Sequence, residues 1–134
     1  MRNAELNAHR WIEQAQFDLE TARKLLADGN FSYAAFSAEQ SAQKALKAFL
    51  LVKSRKYLTI HSVGELAGQA AAFEPKFKAL GESAKRLDRH YLASRYPDAL
   101  PEPAIPATSY TREEAEEAVQ TAERIMDICT SVMG

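Results

Sequence analysis

Residues 31–52 read FSYAAFSAEQSAQKALKAFLLV. Ala35, Ala38, Ala42, Ala45 and Phe49 recur at steps of three and four, the spacing that puts side chains on one face of an α-helix. Phe36, Leu46 and Leu50 add a second apolar edge, while Glu39, Gln40, Gln43, Lys44 and Lys47 sit among them. Alanines on a face let neighbouring helices come close. A helix apolar on two sides has to bury both, so this stretch is the central helix of a bundle or part of an interface between copies.

Working outward, the preceding segment places Trp11, Ala15, Leu19, Ala22 and Leu26 on one stripe, with Trp11 read as core. Asp28-Gly29 closes it, because glycine takes the left-handed conformation that ends a helix; Asn30 or Ser32 could cap the next one. Downstream, Lys53 to Thr59 reads as a basic loop. Ser62-Val63-Gly64-Glu65 has the spacing of a capping box and predicts a short helix to about Phe73. Pro75 suits the first turn of a fourth helix with the stripe Phe77, Leu80, Ala84, Leu87 and Tyr91. Four prolines between Pro97 and Pro106 then exclude regular helix, and Leu100 and Ile105 are the apolar anchors expected to hold that segment down. Thr111 to Glu114 forms a second capping box, and Ala115, Ala118, Ala122, Ile125 and Cys129 carry the stripe of a last helix.

No strand-like alternation and no repeat interrupts this pattern. The expectation is therefore an all-α fold, an up-and-down bundle of four long helices plus one short helix, in a single domain over residues 1–134. A chain of this length hides roughly 65–70% of its unfolded surface, enough for its own core. The lone Cys129 is read as a buried core thiol, no run approaches the ~20 apolar residues of a membrane span, and the first residues lack an apolar signal core, so a reducing cytoplasm is the expected home.

The net charge of −1 hides an uneven distribution: residues 44–95 hold eleven Lys and Arg against four Asp and Glu. Such a segment suits an anionic ligand such as a phosphate chain, or forms a solvated face balanced by acidic neighbours. His9, His61 and His90 are far apart and belong to no metal-binding pair, so no metal is expected, and no glycine-rich phosphate loop occurs. No cofactor is expected either.

The densest polar constellation is Lys85-Arg86-Leu87-Asp88-Arg89-His90-Tyr91, running on to Arg95-Tyr96-Pro97-Asp98. At helical spacing Arg86, Arg89 and His90 share a face while Leu87 and Tyr91 turn to the core. Guanidinium groups grip phosphate bidentately, tyrosine rings stack on bases, and a histidine can move a proton near neutral pH. Arg86, Arg89, His90, Tyr91, Arg95, Tyr96 and Asp98 are therefore the candidate nucleotide- or phosphate-binding residues. The same arginines could instead pair with acidic neighbours, and His61 could serve packing at a helix start. The catalytic assignment stays open, with His90, Arg86 and His61 as the candidates for acid–base work.

These residues resemble the HEPN domain, a family of nucleotide-associated helical proteins. The resemblance rests on Trp11, Ala15, Asp18-Leu19, Ala22, Leu25-Leu26, Gly29 and Tyr33-Ala34-Ala35-Phe36, then Glu39-Gln40, Lys44 to Ala48 and His61-Ser62, and finally Leu87-Asp88, Tyr91 and Arg95 to Ala99, spanning about residues 8–130. It implies a four- or five-helix bundle, a homodimer, and a role beside a separately encoded minimal nucleotidyltransferase, in many branches as a ribonuclease toxin that the partner neutralises. Ribonuclease branches carry an Arg, four to six residues and then a His at the start of a late helix. Here three residues separate Arg86 from His90; five separate Arg55 from His61, but in the loop before the third helix. The resemblance thus implies a nucleotide- or RNA-binding partner of a nucleotidyltransferase, with a metal-independent endoribonuclease toxin and a pure protein-interaction module as the alternatives.

Overall fold

The computed structural model describes residues 3–56 and 58–133; Met1 and Arg2 of the N-terminal stretch, Tyr57 of the expected basic loop and Gly134 lie outside it. Every regular element among the described residues is helical. The chain forms α1 (Ala4–Ala27), α2 (Phe31–Ser54), α3 (Val63–Ala71), a 3₁₀ turn (Pro75–Leu80), α4 (Gly81–Leu87), two further 3₁₀ turns (Asp88–His90 and Pro97–Ala99), a single turn α5 (Pro106–Ser109) and α6 (Arg112–Met133).

The apolar stripes become buried faces. On α1, Ala15, Leu19 and Ala22 are buried and the face continues back through Ile12, Ala8 and Ala4. Trp11 is only half-buried at its rim, with the Lys47 ammonium 5.7 Å from its ring. Gly29 has φ 82, and the Gly29 and Asn30 amides donate to the carbonyls of Leu26 and Leu25, so α1 ends in a left-handed turn as expected. Asn30 stands at the N-cap of α2 without a side-chain capping bond.

Helix α2 is central: it packs on α1 to one side and α6 to the other. Its alanines allow close approach, and Ser41 donates across to the carbonyl of Ala15 at 2.8 Å. Phe49 is fully buried and meets Phe77 edge to face at 5.2 Å. Burying such a ring stabilises the fold by about 1.5–3 kcal/mol, and the aromatic pair adds roughly 0.5–1.5 kcal/mol. The Thr111 box forms as expected, Thr111 and Glu114 bonding each other's backbone amides at 3.1 Å. The Ser62 box forms by half: Ser62 accepts from the Glu65 amide at 3.1 Å, while the second carboxylate at this helix start is Asp88 and not Glu65. The Cys129 thiol is buried, which pushes its pKa up.

The fourth helix differs from its expected form. Phe77, Leu80, Ala84 and Leu87 are buried as the stripe requires, but Tyr91, expected to turn to the core with them, is only half-buried, and the rod is segmented into 3₁₀, α and 3₁₀ pieces followed by turns. Gly81, a poor helix former, stands where the first 3₁₀ turn becomes α4. At the far end, side chains take the carbonyls that a continuing helix would use: Ser94 bonds that of His90, and the Arg95 guanidinium bonds that of Tyr91. In the proline-rich segment the buried anchor is Pro106; Ile105, expected to hold the segment, is 45% exposed, and Leu100 is half-buried. Each short helical turn there starts with a proline, which fits that position because its missing N–H has no helical partner to lose.

Candidate functional site

Midway along α2, Glu39 is a carboxylate with no exposed surface and no salt bridge among the described residues. Its oxygens accept from the amides of Gln40 at 2.8 Å and Gln43 at 2.9 Å. Burial pushes its pKa up to about 7; the two glutamine hydrogen bonds oppose the rise, nearby Asp88 adds to it and Arg95 opposes it. The other end of the Gln43 amide, Oε1, lies 3.2 Å from Nδ1 of His61, whose exposed ring stacks on Tyr91 with centroids 5.5 Å apart.

Asp88 fixes His61 in that place. One carboxylate oxygen accepts from the Val63 amide at 2.6 Å, and the other from the Ser62 hydroxyl at 2.7 Å and the Gly64 amide at 3.2 Å. A carboxylate at these amides satisfies donors that α3 cannot pair internally and complements the positive end of its dipole. The approach requires Gly64: a β-carbon there would come within 2.8 Å of Lys85 Cγ and 3.2 Å of the Asp88 carboxylate. The 3₁₀ turn after α4 is thereby clamped to the start of α3, with Tyr91 beside His61.

Arg95 also stands beside Tyr91. Its Nε and one terminal nitrogen donate to the Tyr91 carbonyl at 3.0 and 2.5 Å. Its guanidinium carbon lies 4.1, 5.3 and 5.0 Å from the ring centres of Phe36, Tyr91 and Tyr96. Rings at these distances hold the cation by cation–π attraction without neutralising it. Arg95 also lines a groove of about 210 Å³ between the start of α2 and the proline-rich segment, with Ser32, Tyr33, Pro97 and Ile105. Tyr33 and Tyr96 are each 48% exposed, so two aromatic rings with hydroxyl tips border this corner.

The remaining candidates from the sequence lie elsewhere. Arg86 pairs with Glu117 of α6 at 2.6 Å and donates to the Ser83 hydroxyl at 3.1 Å. Arg89 is exposed, 3.5 Å from the Arg86 carbonyl, and Asp98 is exposed in the Pro97–Ala99 turn. His90 is 4% exposed and faces inward, its Nδ1 2.8 Å from the Tyr110 hydroxyl. Burial, then the Arg89 charge, lower its pKa to about 4, while burial raises that of Tyr110 to about 12. The single face expected for Arg86, Arg89 and His90 is thus divided. A 3₁₀ turn has three residues per turn rather than 3.6, so the change of winding at Asp88 carries His90 off the face of Arg86 and into the core.

Conversely, the structure gathers residues that the local pattern did not join. Glu39 and Gln43 stood out in the sequence only as polar side chains within an alanine face, the one local sign that a carboxylate there is buried. Part of the basic segment is balanced: Lys44 meets Asp18 at 2.6 Å, and Arg55 meets Glu5 at 2.8 Å. Among the described residues no three His, Cys, Asp or Glu side chains converge as a metal site, and no helix is long and apolar enough to cross a membrane.

Comparison with known proteins gives a consistent picture. The sequence model described as the HEPN domain matches residues 8–132. The candidate toxin MJ1304 of Methanocaldococcus jannaschii is 26% identical over 125 residues, covering 88% of this chain and 82% of its own. Three crystal structures superpose closely. TT1696 from Thermus thermophilus has a TM-score of 0.80 at 37% identity, covering 92% of this chain and 96% of its own. ST0689, an archaeal HEPN homologue, gives 0.77 at 31% identity, with 95% and 98% covered. The HEPN domain protein TM0613 from Thermotoga maritima gives 0.72 at 32% identity, with 92% and 97% covered.

Proposed function

Because this chain belongs to the HEPN domain family, we propose that it is a toxin-like HEPN protein that binds the phosphate of a nucleotide or RNA at the Arg95 corner. It works in the cytoplasm as a homodimer, one half of a pair whose other half is a separately encoded nucleotidyltransferase. The 1–134 chain acts as one HEPN-like domain and uses no cofactor.

One observation carries the reading. Arg95 is half-buried, fixed by two hydrogen bonds to the Tyr91 carbonyl, caged by three aromatic rings, and free of any salt bridge among the described residues. A cation held in one orientation beside a groove has already lost most of its rotamer freedom, so a phosphate gains a charge-assisted bond at little further entropic cost. Tyr96 and Tyr33 offer faces on which a base can stack. Asp98 lies in the exposed turn that follows Tyr96; Arg89 is an exposed cation away from this corner, and Arg86 is neutralised by Glu117.

A second reading, a metal-independent endoribonuclease, is favoured by His61. This exposed imidazole and Arg95 lie against the same tyrosine ring. His90, buried against Tyr110, has no such access.

The test is the affinity of the wild-type protein in EDTA for a short fluorescent single-stranded RNA and for ATP. Arg95→Ala weakens binding about tenfold or more, as loss of a charged hydrogen bond of about 1.5–3 kcal/mol implies. Arg86→Ala, whose guanidinium is already paired with Glu117, changes it within about twofold. Unchanged affinity in a folded Arg95→Ala protein removes the site from this corner.

A further inference from the structure

The Glu39, Gln43 and His61 side chains form a chain of hydrogen bonds that runs from a fully buried carboxylate to an exposed imidazole, and binding at Arg95 does not account for it. Each link has a direction. An ionised carboxylate only accepts, so the Gln43 amide turns its NH₂ toward Glu39, as the 2.9 Å contact from Nε2 shows. That orientation leaves the Gln43 carbonyl oxygen, again only an acceptor, 3.2 Å from His61 Nδ1. Nδ1 therefore carries the ring proton and donates it, and Nε2 is left with its lone pair on the exposed edge, with no partner among the described residues. Stacking on Tyr91 and the Asp88 clamp on Ser62, Val63 and Gly64 hold the ring in the plane this requires.

We propose that Glu39, acting through Gln43, is a positioning residue that fixes the neutral tautomer of His61 as Nδ1–H, and so presents Nε2 to the ligand as a proton acceptor. The inference rests on the reading of Arg95 as the phosphate-holding group. It adds the class of ligand group the site addresses: an acceptor nitrogen beside a bound phosphate suits a hydroxyl donor, such as a ribose hydroxyl next to that phosphate. It also accounts for the buried carboxylate. A group that costs free energy to bury unpaired is retained because its acceptor-only chemistry sets the polarity of the amide and, through the amide, the tautomer of the imidazole.

The groups around these hydrogen bonds stay constant in the test: Gln40 and Lys47 on α2, Ser62 before α3, and Asp88, Tyr91 and Arg95 on the segment after α4. The experiment is a long-range proton–nitrogen NMR correlation of ¹⁵N-histidine protein without ligand, at pH 8.5, where Glu39 is ionised. In the wild type, His61 shows the Nδ1–H tautomer, the minority form of a free histidine. In Gln43→Leu it reverts to Nε2–H as the major form, and in Glu39→Gln, where the neighbouring amide is free to turn either way, it shows both. The His90 signals, whose ring is buried and bonded to Tyr110, remain as in the wild type in all three proteins and report that the fold is intact. A wild-type His61 in the Nε2–H form, or a Gln43→Leu protein still in the Nδ1–H form, overturns the proposal. The spectra contain no nucleotide, so a failed relay is separable from a failed phosphate site, which the Arg95→Ala affinity reads independently.

Discussion

Two histidines show how the same side chain is put to different use by its surroundings. His61 and His90 each commit Nδ1 to a neutral partner, Gln43 in one case and Tyr110 in the other. Both stand beside an aromatic ring, with centroids 5.5 and 5.3 Å away. His61, however, sits in the exposed turn before α3, and its partner leads to a buried carboxylate. His90 is sealed under the end of α4, and its partner is a tyrosine whose own pKa is raised to about 12. The first is oriented yet reachable; the second is a packing element that has to stay neutral. A histidine's reactivity follows from exposure and from what stands behind its partner, not from its place in a run of charged residues.

The sharpest way to break this contrast is to titrate stability. The pKa of His90 is lowered to about 4 in the fold, against about 6.5 unfolded. Its contribution is therefore fully present above pH 6.5 and is lost as pH falls through 4. The shift corresponds to about 3 kcal/mol. His90→Gln should remove most of that acid loss, read as a flatter unfolding free energy between pH 6.5 and 4 in urea titrations. An unchanged acid slope would mean that His90 is not buried neutral.

Glu39 gives the opposite slope and an effect of similar size. Its pKa rises to about 7 in the fold from 4.5, so its contribution is present below 4.5 and is lost as pH climbs through 7. The range is again about 3 kcal/mol. Glu39→Gln should flatten the wild-type decline between pH 4.5 and 8. Its plateau should lie lower, because one carbonyl oxygen then serves the two donors that two carboxylate oxygens served. Parallel curves for variant and wild type would contradict a carboxylate buried without a cation.

The helices were legible in the sequence because their causes are local. Gly29, the Ser62–Glu65 and Thr111–Glu114 boxes, and the alanine stripes of α2 and α6 act within a turn or two of themselves. The segmentation of the fourth rod was not, since it depends on Asp88 capturing amides of α3 and on Arg95 capturing a carbonyl that a helix would otherwise pair internally. For the same reason Arg86, Arg89 and His90 read as one face although the change to 3₁₀ winding divides them. Arg95, Tyr91 and Tyr96 stood in one short run and come together as that run suggested. His61 joins them from a distant turn, and Glu39 and Gln43 join through side-chain bonds that no spacing rule encodes. Pro106 in place of Ile105 as the buried anchor is a smaller instance, in which apolar character alone gave the wrong inward side chain.

The claim that function resides at the His61–Tyr91–Arg95 corner, and not at Arg86 and Arg89, is tested most directly by following both histidine rings by NMR while a short single-stranded RNA is titrated into the wild-type protein in EDTA. The account predicts that the His61 ring signals move in proportion to binding while those of His90 stay fixed. Movement of His90 with His61 unchanged would contradict it and return the ligand to the face of Arg86 and Arg89.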